Sequence, residues 1–250
     1  MRPASSIACG AAGFAFLVAA ASVAGDGALQ IGFSALLSST GIALLAVAGA
    51  FLREGPVRAS LGLLPPRLSA GRLVLLAVGL VGTSHLVDGG LRHLGLYDGS
   101  ILEWFQVSLA GADGPGVAVA ALGIGLAPGF AEELFFRGLL LLALVSRFGV
   151  PAGVLLSSAL FGVVHLDFAQ GLGAALLGLY LGAVAVAAGS TWAAVACHVV
   201  NNLTALAGTV WGGDPGLAGG VAAVVAAGLG GATLVGSLRA PGIHGERLQE

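Results

Sequence analysis

The sequence predicts an all-α fold, a polytopic membrane helix bundle with about eight transmembrane helices, and three observations carry that expectation. Mean hydropathy is +1.01, with 57% hydrophobic and only 9% charged residues, far more apolar than a soluble domain. Windows of about 20 apolar residues, the length that crosses the hydrocarbon core, recur with charged or Gly/Pro breaks between them. Arginine collects in alternate breaks, as the positive-inside rule expects of a multi-span chain. The whole chain, 1–250, reads as one integral membrane domain with a polar-residue-bearing core at about 115–210.

The expected spans are 7–24, 31–52, 72–90, 115–143, 150–165, 170–188, 190–210 and 216–238. The first follows Arg2. A secretory signal peptide is the alternative there, because "SVAG" at 22–25 offers small residues for cleavage; the later topology is the same in either case. The second span ends at Arg53, and the third follows "LGLLPPRL" at 61–68 and Arg72. Residues 91–113, "LRHLGLYDGSILEWFQVSLAGAD", are too charged to span, and Tyr97, Trp104 and Phe105 suit an interfacial stretch. Within the third span His85 and Asp88 read as a local pair. The remaining five spans follow closely, and the 43 glycines favour tight backbone packing between helices.

With the N-terminus inside, Arg2, Arg53, Arg58, Arg67, Arg72, Arg147, Arg239 and Arg247 fall on the cytoplasmic side and Arg92 outside. Both termini are therefore expected to be cytoplasmic, and the membrane to be a bacterial plasma membrane. There is no Lys, and the net charge of -2 leaves no basic patch, so nucleic acid is excluded as a partner. Cys9 and Cys197 stand in apolar runs without metal-type spacing.

Against this background "EELFFR" places Glu132, Glu133 and Arg137 inside the fourth span, where each charge costs about 2.5–3.5 kcal/mol at mid-bilayer. Glu133 and Arg137 are four apart, share a helix face and can pair; Glu132 points about 100° away and needs another partner. "FGVVH" supplies Phe161 and His165, and "HVVNN" supplies His198 with Asn202 one turn on. At 1.5 Å per residue, Glu132 and His165 lie roughly 22 Å from the cytoplasmic ends of their spans, and His198 and Asn202 roughly 12 and 18 Å from theirs. All four can meet at one level. A carboxylate in an apolar surround can act as general base toward water, with His165 sharing that task or protonating a leaving amine. His198 and Asn202 can donate hydrogen bonds to an oxyanion. The same side chains offer a second chemistry, because Glu132, His165 and His198 form a two-His, one-carboxylate set for Zn²⁺. Either a zinc cofactor or a metal-free mechanism fits.

These three stretches, in this order, resemble the EExxxR, FxxxH and HxxxN motifs of the CPBP, or Abi, intramembrane proteases, which include the type II CAAX prenyl endopeptidases. The eight-span plan and the "LGLLPPRL" segment are also similar to that family. The resemblance implies a membrane-embedded endopeptidase acting on a membrane-associated or prenylated, CAAX-like peptide. It carries Glu132 over as the water-activating residue, His165 as its partner, and His198 with Asn202 as the oxyanion-side or ligand pair, with Glu133, Arg137 and Phe161 in support. Members are described both as metalloproteases and as metal-free, and bacterial members are linked to peptide maturation and bacteriocin immunity.

Other protease classes leave no mark: there is no HExxH, "GTSH" lacks the final Gly of a serine elbow, and "WGGDP" does not match GxGD. A small proton-coupled transporter can also bury Glu, His and Arg, yet the sequence shows no inverted repeat. A catalytically silent scaffold or immunity protein keeps the fold alone.

Overall fold

The structure is a computed structural model and describes residues 27–53, 55–212 and 216–239. The expected span at 7–24, with its signal-peptide alternative, lies outside the described residues. Within them the chain is all helix: α1 (Ala28–Phe51), α2 (Val57–Ser60), α3 (Ala70–His93), α4 (Ile101–Leu109), α5 (Gly114–Phe148), α6 (Val150–Val163), α7 (Phe168–Ala188), α8 (Thr191–Trp211) and α9 (Gly216–Leu238). Six of these, all but α2, α4 and α6, are long and apolar enough to cross a membrane.

The expected span at 150–165 needs correction. Helix α6 has 14 residues, about 21 Å at 1.5 Å per residue, short of a hydrocarbon core of about 30 Å. The sequence stays apolar through Leu166, so hydropathy does not end this helix. It ends because Leu166 adopts φ 57°, the left-handed region that a helix cannot continue through, and because Asp167 caps the next helix. Asp167 in fact holds two helix starts, accepting from Gln170 N–H at 2.8 Å on α7 and from Ile101 N–H at 3.1 Å on α4. Asp167→Ala is expected to cost about 1–2 kcal/mol and to speed amide exchange in the first turns of both α4 and α7, measured by hydrogen–deuterium exchange.

The leftover segment 91–113 carries α4, whose Ser100 Oγ accepts from Glu103 N–H while the Glu103 carboxylate accepts from Gly99 N–H. Its Trp104 and Phe105 pack on a cluster that includes Ile31, Leu109, Leu206 and Val210. The expected His85–Asp88 pair does not form. Asp88 instead bonds Arg92 at 2.9 Å, four residues on, while His85 Nδ1 meets the Val81 carbonyl at 3.0 Å. An arginine one turn away outcompetes an imidazole for an exposed carboxylate because it is always charged.

Helix α1 packs along α5, α6 against α7, α3 against α9, and α8 touches α3, α5 and α7. Glycine permits the closest approaches. A Cβ on Gly32 would lie 2.7 Å from the Val119 carbonyl, and one on Gly162 would lie 2.5 Å from that of Gly171. Gly32→Val is expected to destabilise by about 1–3 kcal/mol, read as a lower unfolding temperature in detergent than Gly90→Val, whose Cβ meets nothing within 4 Å.

Before α3, residues 61–67 form a strap tied to the turn between α7 and α8. Thr191 donates from Oγ1 to Leu61 O at 2.8 Å and from N–H to Gly62 O at 2.9 Å, Ser190 Oγ donates to Leu64 O, and Arg67 N–H donates to Ala188 O. Gly62 sits at φ 60°, which suits a residue without a Cβ.

Candidate active site

The site grows from α5. This 35-residue helix passes into π geometry twice, at Ala121–Leu126 and Leu134–Leu140, the widened form often found at functional positions. Glu132 and Glu133 end the α-helical stretch between the two π segments, and Arg137 lies in the second. Glu133 and Arg137 pair as the spacing predicts, Nη1 to Oε1 at 2.9 Å, with side chains 0% and 1% exposed. Arg137 also donates from Nη2 to the Gly178 carbonyl on α7 at 3.2 Å and lies 4.5 Å from the centre of the Phe161 ring.

His198 completes this arrangement from α8. Its Nδ1 stands 2.8 Å from Glu133 Oε1, the oxygen that already accepts from Arg137. With Nδ1–H donating to that carboxylate, Nε2 is turned toward Glu132, 4.0 Å from its Oε2. The histidine therefore stands between two carboxylates of different character, one fully buried and one 18% exposed. Small residues bring the helices together here: Gly129 lies against Val199, and Gly125 against Leu203.

The other candidates sit around this centre. His165, half-buried at the end of α6, has Nδ1 on the Phe161 carbonyl at 2.7 Å, which leaves Nε2 bare. The Phe161 ring separates the two histidines, its centre 5.0 Å from that of His165 and 6.0 Å from that of His198, both edge-on. Asn202 donates to the Ile124 carbonyl in the first π segment at 3.2 Å, using one of its two amide hydrogens. The structure thus gathers Glu132, Glu133, Arg137 and His198 directly, and sets His165 across Phe161 and Asn202 one turn along α8.

Zinc demands three protein ligands or more around one point. Among the described residues no group of three His, Cys, Asp or Glu side chains stands close enough to hold an ion. The set Glu132, His165 and His198 does not fit a metal in this arrangement.

Sequence reasoning did not find the Gly178 carbonyl, or Ser157, whose Oγ donates to the Phe136 carbonyl at 2.9 Å within the second π segment. A backbone acceptor leaves no signal in sequence. Two buried serines in an apolar helix, Ser157 and Ser158, are a signal, since such hydroxyls seek carbonyls.

The family model described as type II CAAX prenyl endopeptidase Rce1-like matches residues 114–204, from the start of α5 into α8. The chain is similar to that family over this segment, a little over a third of its length. Glu132, Glu133, Arg137, Phe161, His165, His198 and Asn202 all lie within it. Searches of curated proteins and of solved structures gave no significant match. This similarity and the six long apolar helices together point to an integral membrane protein.

Proposed function

We propose that the chain is an intramembrane endopeptidase that hydrolyses a peptide bond of a membrane-associated, CAAX-like substrate with water activated by Glu132. The observation that carries this reading is the position of His198 between a buried, ion-paired glutamate and a second, partly exposed one. Glu133 is wholly buried and holds Arg137 and His198 on Oε1, which leaves the partly exposed Glu132 as the carboxylate that water can reach. Glu132 takes a proton from water as the oxygen attacks the carbonyl carbon. The second Asn202 amide hydrogen donates to the oxyanion, and Nε2–H of His198 joins it when the ring carries both of its protons. Collapse breaks the C–N bond, and the proton held by Glu132 passes to the leaving amine, directly or through His165 Nε2. Glu133 and Arg137 hold His198 in the orientation this needs.

The cytoplasmic bias of arginine favours both termini on that side, in a bacterial plasma membrane. The test is cleavage of a panel of peptides, prenylated CAAX peptides included, by purified protein in liposomes, comparing the parent with Glu132→Ala, each with and without a strong chelator. Cleavage that needs Glu132 and survives the chelator is the expected result. Chelator sensitivity would replace the metal-free step, and a panel without Glu132-dependent cleavage would overturn the protease reading.

A further inference from the structure

Helix α5 leaves α geometry at two places, and at each a side chain from a neighbouring helix donates to one of its carbonyls. In the first π segment Ala127 N–H donates to Leu122 O, and Asn202 of α8 donates to Ile124 O at 3.2 Å. In the second, Leu141 N–H donates to Phe136 O, five residues back, and Ser157 Oγ of α6 donates to the same oxygen at 2.9 Å. A carbonyl oxygen has two lone pairs. In an α-helix the Leu140 N–H would donate to Phe136 O; here the N–H comes from one residue later, and the Ser157 hydroxyl supplies the second donor.

We propose that Ser157 is a positioning residue, which holds the second π segment in its wide turn and so sets the angle at which Glu132 and Glu133 meet His198. The π turn takes one residue more than an α turn, and one residue of α-helix is about 100° of rotation. Each half of α5 has fixed partners of its own. Upstream, Gly129 lies against Val199, and Glu133 Oε1 meets His198 Nδ1 at 2.8 Å. Downstream, Gly138 lies against the Leu61 carbonyl of the strap, and Leu141 is buried in a core with Leu181, Val184 and Ala194. The extra residue between the halves lets both sets of contacts form. Were the segment to tighten into α-helix with its downstream half in place, the half carrying the two glutamates would turn by about 100° relative to α8. The Ser157 hydroxyl thus acts on the site through the Phe136 carbonyl. The register of α5 is independent of the proposed hydrolysis; only its catalytic readout rests on that reading.

Crystal structures of the full chain, parent and Ser157→Ala, test the register directly. The variant is expected to donate Leu140 N–H to Phe136 O; one that keeps the Leu141 N–H bond there overturns the proposal. Ser158→Ala is the control, because Ser158 is equally buried at 2% and its hydroxyl donates within α6, to Val154 O at 2.7 Å. In peptide cleavage Ser157→Ala is expected to lose about 10–10²-fold in kcat, the scale of a misplacement of about 1 Å, with KM little changed. Ser158→Ala should stay near the parent, and equal losses in the two variants would overturn the positioning role. Ser157→Thr keeps a hydroxyl donor and should restore both the π turn and kcat; a threonine variant that behaves as the alanine one counts against the proposal in the same way. If the parent itself cleaves nothing, the hydrolysis reading fails, and the register is still decided by the structures alone.

Discussion

Glu132→Gln is expected to lower peptide hydrolysis by about 10²–10⁴-fold, the usual contribution of a positioned general base, while leaving the fold intact. The two halves of this expectation come from one contrast. Glu132 is 18% exposed and stands 4.0 Å from His198 Nε2, so the carboxylate supports little structure and its amide isostere keeps its shape there. The loss should appear in kcat with KM little changed, since the carboxylate acts on water and not on ground-state binding. Unfolding temperature in detergent should stay near that of the parent protein. A variant that keeps its activity would remove Glu132 from the chemistry, and one that unfolds would recast it as a structural residue.

Glu133→Leu has the opposite profile, with an expected loss of about 3–5 kcal/mol because the Arg137 charge stays buried without its counter-ion. His198 Nδ1 loses its acceptor in the same step, so activity falls too. The way to separate the two effects is a double-mutant cycle. Arg137→Met alone strands a buried carboxylate, whereas Glu133→Leu with Arg137→Met replaces the pair by apolar side chains and should recover much of the stability. Activity should not return, because His198 would still lack the group that orients it. A double variant less stable than either single one would show that the pair itself, rather than the stranded charge, holds the bundle.

Hydropathy made most of this architecture legible, because a span is a statement about composition over about 20 residues and needs no neighbour to define it. The shortness of α6 was hidden for the same reason: residues 150–166 are apolar but for Ser157, Ser158 and His165, and the helix is ended by the backbone of Leu166 and the cap of Asp167. At the site, the Glu133–Arg137 pair could be read from a spacing of four within one helix. The bond from Glu133 to His198 could not. Helical periodicity sets the angle between adjacent carboxylates but not which of them faces α8; that follows from how Gly125 and Gly129 let α5 meet Leu203 and Val199.

The ion pair also bears on how the protein is made. Arg137 and its counter-ion are separated by four residues of one helix, so they emerge from the ribosome together and enter the bilayer as a locally compensated unit. Each charge inserted alone would cost about 2.5–3.5 kcal/mol. His198 follows 65 residues after Glu133, a delay of several seconds at about 5–20 residues per second. During that interval α5 must sit in the membrane before its histidine partner exists. An arginine that depended on a later helix for neutralisation would be exposed throughout the wait, whereas one that brings its own carboxylate is ready to receive α8 when it arrives.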